Sequence, residues 1–358
     1  MAKFADVLTI INGKNQKKVE NPNGLYPIYG SGGIMGYADD YICEANTVVI
    51  GRKGSINNPI FVKTRFWNVD TAFGLYADPT KLQPKYLYYF CEKFDFEKLN
   101  TTVTIPSLTK ANLLKVEIPL PSLDEQLKIA AVLDKVSGLI AKRRQQLDKL
   151  DELVKSRFVE MFGDPVENPM EWEKIALGKR CDIVTGNTPS RAEPENYGNF
   201  IEWIKSDNIN TPAVLLTEAQ EYLSEKGFYK CRFVEGGSLL MTCIAGSINC
   251  IGNVAVTDRR VAFNQQINAI IPKQDDVLYL YWLMQLSKPI IHSSINMALK
   301  CILSKGQLSE MAFPFPPSEL QNYFSMFANR AESTKTNITR SLEKLVILKK
   351  SLMQCYFL

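Results

Sequence analysis

The chain repeats itself. "EIPLPSLDEQ" at 117–126 returns as "AFPFPPSELQ" at 312–321. At one offset, 195, Pro119, Pro121 and Gln126 fall on Pro314, Pro316 and Gln321, and Leu108, Lys110 and Leu113 fall on Leu303, Lys305 and Leu308. The same offset carries Leu147, Leu150, Lys155, Ser156 and Phe162 onto Leu342, Leu345, Lys350, Ser351 and Phe357. Upstream the match survives with slips: "KYLYYF" (85–90) against "LYLYWL" (278–283), "GSI" at 54–56 against 246–248, Gly13 and Gly24 against Gly186 and Gly198. The second copy carries an insertion before Ser238. Each copy is far longer than a solenoid repeat, so each is a domain with something attached.

The attachment is a helix. Residues 123–162 contain no proline and one glycine, Gly138. Ile129, Leu133, Val136, Ile140, Leu147, Leu150, Val154, Phe158 and Met161 recur mostly in steps of three and four, the rhythm of a coiled-coil seam. Ser122 and Glu125 form a capping-box pattern after Pro121, and Gly163-Asp164-Pro165 is a helix stop. The second copy runs from Ser318 to about Phe357, with Phe324, Phe327, Ala331, Ile338, Leu342, Leu345, Leu348 and Leu352 along one face. Such a helix is about 60 Å long and overshoots a small domain nearer 30 Å across. One apolar stripe is not stable alone in water, so the expected partner is the duplicate helix. Leu133, Val136, Ile140, Leu147, Leu150, Val154, Ile338, Leu342, Leu345 and Leu352 are the expected pairing residues.

The segments before the helices read as strands, turns and short buried helices. "ANTVVIGRKGSINNPIFV" (45–62) and "GGSLLMTCIAGSINCIGNVAV" (236–256) are apolar runs split by Gly and Asn, and "PKYLYYFCEKF" and "VLYLYWLMQL" are helical. The expected fold is α/β (α+β): two similar mixed domains joined by two long antiparallel helices, a dumbbell with pseudo-two-fold symmetry. The expected division is 1–121, first head; 122–162, first helix; 163–316, second head; 317–358, second helix.

Composition narrows the function. The net charge of +4 divides unevenly: +3 over 1–121, +1 over 122–162, −3 over 163–315 and +3 over 316–358. A nucleic-acid surface on the third segment must therefore concentrate its basic groups on one face. The eight cysteines form no C-x-x-C pair and His292 is the only histidine, so no metal site is expected, and reduced cysteines in a cytoplasmic protein are the better reading. The N-terminus lacks an apolar signal core, and no run of apolar residues is long enough to span a membrane. No P-loop, G-x-G-x-x-G or G-x-S-x-G motif is present, and one histidine offers little to a triad. "NNPI" (57–60) and "ENPM" (167–170) lack the second proline and the aromatic of the adenine-methyltransferase loop. The expectation is a chain without catalytic residues.

Matching polar loops remain: "GKNQKK" (13–18), the Gly-rich "YGSGGIMGY" turn (29–37), "GRKGSINN" (51–58) and "KTR" (63–65) in the first head, and "TGNTPSR" (185–191), "WIKSDNIN" (203–210), "AGSIN" (245–249) and "DRR" (258–260) in the second. Cationic side chains pair phosphates or guanine edges, amides match adenine, and Ser, Thr and Gly amides take phosphates. The candidate DNA contacts are Lys14, Ser31, Gly32, Arg52, Lys53, Ser55 and Arg65, then Thr188, Ser190, Arg191, Lys205, Ser206, Asn208, Ser247, Asn249 and Arg259. The frame of "GRKGSINN" persists in "CIAGSINC" while its cationic side chains do not, as two scaffolds reading two different short targets require. A scaffold bridging two proteins without touching DNA is the competing reading.

The sequence resembles the specificity subunit of type I restriction–modification systems over essentially its whole length. The P-L-P-x-x-x-E-Q segment (Pro119 to Gln126), its degenerate copy (Pro314 to Gln321), "TGNTPSR" and "WIKSDNI" carry the likeness. Departures are Asn249-Cys250-Ile251-Gly252 within the 240–256 strands, the lack of an acidic residue before Gln321, and a first copy that starts at "MAKFADVLTI" with no counterpart to Trp172 and the residues just after it and has "GKNQKK" in place of the T-P-S turn. The resemblance implies that each head reads one half of a split double-stranded DNA target through the major groove and that the coil sets the unread spacer. It also implies that two methyltransferase subunits, with their own S-adenosylmethionine, and restriction/translocase subunits, with Mg and ATP, supply adenine-N6 methylation and cleavage. No cofactor is expected on this chain.

Overall fold

The computed structural model describes residues 1–100, 107–295 and 302–357. The chain forms two compact units, Met1–Gln145 with Thr339–Leu358, and Gln146–Ile338. Each unit thus holds one head together with part of each long helix.

In the first unit a four-stranded antiparallel sheet runs in the order Leu8–Asn12, Ala72–Ala77, Thr47–Gly51, Ile60–Val62. Thr47–Gly51 is buried at every position, which explains its unbroken apolar run in place of alternation. A smaller sheet joins Gly33–Ala38 to Tyr26–Gly30 and, in parallel, to Trp67–Asn68. The "YGSGGIMGY" segment is the tight turn of that hairpin. Ala2–Lys3 pairs with Glu117–Ile118, just ahead of the proline segment. The helix Pro84–Lys93 starts on its proline and buries Tyr86, Leu87, Tyr89, Phe90 and Cys91.

The second unit repeats this plan. Its main sheet has the same order, Cys181–Thr185, Ile267–Pro272, Leu239–Thr242, Val254–Val256. Its smaller sheet pairs Tyr197–Ile204 with Tyr222–Leu223 and, in parallel, with Val261–Phe263, then adds the edge strand Phe233–Val234. Lys174–Ala176 pairs with Ala312–Pro314 as Ala2–Lys3 pairs with Glu117–Ile118, which corrects the expectation that the residues just after Trp172 lack a counterpart: Met1–Val7 matches them, and the departure lies only upstream. Much of the insertion in the second copy lies between Ile204 and Tyr222.

One junction, built twice, explains the repeated proline segment. Gln126 is fully buried in the first turn of its helix. Its Oε1 accepts from Gln83 N at 2.8 Å, and its Nε2 donates to Lys81 O at 3.0 Å and Pro121 O at 2.9 Å. Tyr86 Oη donates to Pro119 O at 3.0 Å. In the second unit Gln321 Oε1 accepts from Asp276 N at 3.0 Å, its Nε2 donates to Asp275 Oδ1 at 2.8 Å and Pro316 O at 2.9 Å, and Tyr279 Oη donates to Pro314 O at 2.7 Å. Asp275 is buried and paired with Arg180, whose guanidinium lies 5.0 Å from the Phe315 ring.

The long helices are Leu123–Phe162 and Ser318–Phe357. Ser122 Oγ accepts from Glu125 N at 3.3 Å, as the capping pattern requires. The second helix has no side-chain counterpart, and Pro317 O accepts from Leu320 N and Gln321 N. Gly163, at φ +78°, ends the first helix, and Trp172 Nε1 donates to Phe162 O at 3.0 Å.

Within each unit the two helix segments pack antiparallel. In the first, Ile129 and Leu133 share a core with Met353 and Phe357, and the Phe357 ring lies 5.0 Å from Tyr86 and 5.9 Å from Phe90. Lys349 Nζ reaches Glu92 at 2.7 Å. In the second, Phe158 stacks on Tyr279 at 5.4 Å and meets Phe324 edge-on at 5.3 Å, while Lys335 pairs with Asp151 at 2.5 Å. Burial pulls the Lys335 ammonium down, but Asp151 and Glu332 outweigh it and hold it above its ordinary value. Leu133, Val136, Ile140 and Val154 are buried; Leu147, Leu150, Ile338, Leu342, Leu345 and Leu352 are half-buried. Leu348 is the correction: it is 45% exposed, because Met353 and Phe357 carry the apolar stripe to the core instead.

Replacing Gln126 or Gln321 by Leu strips buried partners of their hydrogen bonds, each loss costing about 1–3 kcal/mol. Thermal unfolding should fall by about 2–4 °C per kcal/mol in units of this size. Gln321→Leu should be the more damaging, since it also removes a donor from the buried Asp275 carboxylate; equal shifts would contradict that ranking.

Candidate nucleic-acid interface

In the first unit three loops meet at one rim. Lys14 N donates to Asn68 O at 2.8 Å, and Trp67 Nε1 caps the Lys14 carbonyl at 3.0 Å. Gly13 permits that approach: a Cβ there would lie 1.7 Å from Val69 O. Val69 N bonds Tyr29 O at 3.0 Å, which brings in the Gly30–Gly33 turn. A Cβ on Gly51 would lie 2.4 Å from Ser55 O and 3.1 Å from the Ser31 Cβ, so this turn and the 51–55 loop lie side by side. Arg52 N and Lys53 N both donate to Thr71 O, and Leu108 N donates to Arg52 O. Lys14, Arg52, Lys53, Ser55 and Gly32 are exposed, with Ser31 half-buried among them. Among the described residues, none of the three cations is in an ion pair. The Arg52 guanidinium lies 5.8 Å from the Phe73 ring.

Arg65 does not join this rim. It pairs with Glu44 at 2.8 Å and covers the Tyr41 ring at 4.7 Å; the Tyr41 ring lies tilted 4.9 Å from Tyr26, at the far end of the strand Tyr26–Gly30. The Glu44 carboxylate holds its guanidinium above the ordinary arginine range.

The second unit builds the same rim from the same backbone bonds. Asn187 N donates to Phe263 O at 3.1 Å, Asn264 N to Ile204 O at 3.0 Å, and Gly186 allows the close crossing. Trp203 Nε1 caps the Asn187 carbonyl at 3.4 Å, an indole doing the work of Trp67 from a different strand. Cys243 N and Ile244 N both donate to Gln266 O, and Leu303 N donates to Cys243 O. These bonds place Cys243 where the first unit has Arg52, and Ile244 where it has Lys53, one residue from the register that "GRKGSINN" over "CIAGSINC" implies. Ser206 stands where the first unit has Ser31. Thr188 bonds Gln265, and Ser247 and Asn249 are exposed on the loop after Leu239–Thr242.

Beside this rim lies a cluster that residue types alone did not reveal. Arg191 covers Tyr197 at 4.4 Å and Trp203 at 5.3 Å, and Lys205 Nζ lies 5.3 Å from the same Trp203 ring. Glu221 holds both cations, at 2.7 Å from Arg191 and 2.8 Å from Lys205. Hydrogen bonding from Lys205, ahead of that from Arg191, keeps the Glu221 carboxyl below its ordinary range despite some burial. Tyr197 Oη donates to Pro189 O at 2.9 Å and Asn196 Nδ2 to Ser190 O at 3.2 Å, fixing the T-P-S turn.

Two candidates prove to be builders of the long 205–221 segment. Asn208 is buried; it accepts from Lys205 N at 3.1 Å and donates to Glu218 O at 2.9 Å. Arg259 is clamped by Glu202 and Asp258, both at 2.6 Å, and donates to the carbonyls of Leu216 and Thr217.

Nε2 of His292 meets Ile251 O at 2.9 Å. The seven described cysteines are free, and burial pushes the thiols of Cys43, Cys181 and Cys243 up to about 12, far from thiolate reactivity. Among the described residues no cluster of three metal-binding side chains occurs, and no helix is long and apolar enough to cross a membrane.

Comparison with known proteins agrees with this architecture. The family model "Type I restriction modification DNA specificity domain" matches residues 1–151 and 169–344. The chain is 32% identical over 117 residues to the type I restriction enzyme HindI specificity subunit of Haemophilus influenzae, spanning 31% of this chain and 24% of that protein. It is 22% identical to the putative MjaX specificity subunit of Methanocaldococcus jannaschii, over 69% of this chain and 61% of that one. It therefore spans less than two thirds of either relative. It is 24% identical to the putative specificity subunit S.HindORF215P of H. influenzae, over 94% of this chain and 88% of that one. Among solved structures, the type I restriction–modification S subunit from M. genitalium superposes with a TM-score of 0.68 at 17% identity, covering 100% of this chain and 95% of that one. A chain from a structure of type I system complex assembly and conformational transition gives 0.57 at 16%, covering 99% and 96%. At such identities these two show the shared fold.

The two rims should differ toward a polyanion. On heparin, Arg52→Gln with Lys53→Gln should elute at lower salt than the parent. Glu221→Gln, which leaves Arg191 and Lys205 without their carboxylate, should elute at higher salt. Unchanged elution of both variants would mean that neither rim meets the polyanion.

Proposed function

The chain belongs to the type I restriction–modification DNA specificity family, and from that premise we propose that it selects a two-part DNA target, one half-site per head, for partner subunits that modify or cut it. The observation that carries this reading is the paired rim. The same backbone bonds hold an exposed Arg52 and Lys53 in one unit, and a buried Cys243 with a half-buried Ile244 in the other. Scaffolds that agree in main chain and differ at the rim suit two different base sequences, since phosphate contacts position a protein and side chains on base edges specify it.

In this reading the chain is the non-catalytic subunit. Two methyltransferase subunits, holding S-adenosylmethionine, flip and methylate adenine at N6, and restriction/translocase subunits using ATP and Mg add cleavage. Lys14, Arg52 and Lys53 engage phosphates or guanine edges from the first head. Thr188, Ser190, Ser247, Asn249 and the Arg191–Lys205 pair face DNA from the second. The unread spacer is assigned to the two long helices that follow the heads in the chain. The setting is cytoplasmic.

The test is co-expression of this chain with a methyltransferase subunit of its own system, followed by mapping of N6-methyladenine in host DNA. Methylation should fall on a two-part motif and vanish when this chain is omitted. Exchanging residues 185–260 for those of another family member should rewrite one half of the motif and leave the other intact. Methylation that ignores the omission would favour a scaffold that bridges proteins without touching DNA.

A further inference from the structure

The hairpin turn at the first rim carries two large apolar side chains in water. Ile34 is 56% exposed and Met35 62% exposed, directly after Ser31, Gly32 and Gly33. Single exposed hydrophobes are common, but two adjacent ones at the start of the strand that leaves a tight turn are not needed by any core in this unit. The turn is built to hold them there. Ile34 is in register with Tyr29, and Gly33 with Gly30. The Met35 sulfur lies 2.5 Å from where a Cβ on Gly30 would stand, so this glycine makes the space in which Met35 folds back across the turn. Gly33, at φ +125°, takes a backbone conformation that side-chain-bearing residues rarely adopt. Cβ positions on Gly32 and Gly33 meet nothing within 4 Å, so the turn that leads into Ile34 and Met35 is slender.

Its surroundings say what kind of surface covers it. The turn touches the 51–55 loop through Ser31 and Gly51, and that loop and its neighbour bear the unpaired cations Arg52, Lys53 and Lys14. An apolar pair next to loops that bear unpaired cations fits a polyanion that also exposes apolar groups. Duplex DNA does so in the major groove, where each thymine presents a C5-methyl group between its phosphates. We propose that Ile34 and Met35 are a specificity element of the first head that reads a thymine methyl, while Lys14, Arg52 and Lys53 hold the flanking backbone. The proposal rests on the DNA-reading function above and adds the chemistry by which one head recognises its half-site. The corresponding segment of the second head, Lys205–Glu221, begins instead with Lys205, Ser206 and Asp207 and is wound back by the buried Asn208.

The test uses the chain assembled with its methyltransferase subunits and duplexes bearing the mapped motif. Each thymine of the half-site read by the first head is replaced in turn by uracil, which removes only the methyl group. Affinity should fall about three- to fivefold at one position, the loss expected for one buried methyl. The Ile34→Ala, Met35→Ala double variant should bind thymine and uracil duplexes equally at that position and keep its discrimination at the other half-site. Equal binding of thymine and uracil throughout by the parent complex would overturn the proposal. So would a double variant that retains the parent's preference, or one that weakens binding without changing the thymine-to-uracil ratio, as a minor-groove wedge would. Failure of the parent complex to prefer the mapped motif over unrelated DNA would instead count against the DNA-reading function itself, which separates the two conclusions.

Discussion

A buried glutamine at the first turn of each long helix is the contact on which each unit depends. The helix leaves its head through a proline-rich segment that has few amide hydrogens to give. The head must therefore be fastened through carbonyls, and those carbonyls need donors. Gln126 and Gln321 supply an amide that donates twice and an oxygen that accepts once, all within the same buried space. Glutamate could not donate to Pro121 O or Pro316 O, and leucine would remove all three hydrogen bonds. The tyrosine hydroxyls on Pro119 O and Pro314 O complete the fastening. This explains why the proline segment and the "LY" helix were kept together in both copies: they are two sides of one joint.

With the joint fixed, the opposite end of each head can vary. The rim loops are held by main-chain bonds, by glycines at close crossings and by side chains beneath them such as Trp67, Trp203, Tyr197 and Asn196, while the exposed Arg52 and Lys53 add little to holding them. Arg52 and Lys53 can become Cys243 and Ile244 without disturbing the amides beneath, because both pairs donate to one carbonyl, Thr71 O or Gln266 O. A scaffold whose stability resides in its backbone can change what it recognises at low cost to folding. The tandem duplication supplies two such scaffolds in one chain.

The parts of this design that were legible in the sequence are those set by local periodicity. Steps of three and four, an absence of proline, Ser122 with Glu125 and a following glycine are enough to place a 40-residue helix at Leu123–Phe162. Antiparallel pairing followed from the duplication. What could not be read were side-chain contacts across distance. Nothing in the spacing of Lys205 and Glu221 announces that one carboxylate holds Lys205 and Arg191 together over Trp203. Asn208 and Arg259 have the residue types of base readers, yet the inserted 205–221 segment consumes their hydrogen bonds, and an insertion is where a comparison between copies offers no guide. Arg65 follows the same rim strands in sequence, but a strand has two ends, and it sits at the other. The single-residue slip between Arg52 and Cys243 arose because the shared "GSI" aligns the loop and not the strand that leads into it.

The charge imbalance between the copies acquires a physical meaning from these contacts. The segment 163–315 carries a net −3, which reads at first as evidence against an anionic partner. Its carboxylates, however, are distributed as partners to its cations: Glu221 to Arg191 and Lys205, Glu193 to Lys230, Glu195 to Lys226, Glu202 to Arg259 and Glu235 to Arg260. The exposed ones among these pairs add little to stability. Their greater effect is on position, since a guanidinium stacked on Tyr197 and pinned by Glu221 has given up much of its rotational freedom before any partner arrives. The first head leaves Lys14, Arg52 and Lys53 unpinned, which favours attraction at a distance over a fixed geometry. A cation held by a carboxylate attracts a polyanion less but discriminates better once in contact, because only a group arriving in the right place can share it. Two heads of one ancestry thus differ in how they divide electrostatics between attraction and selection.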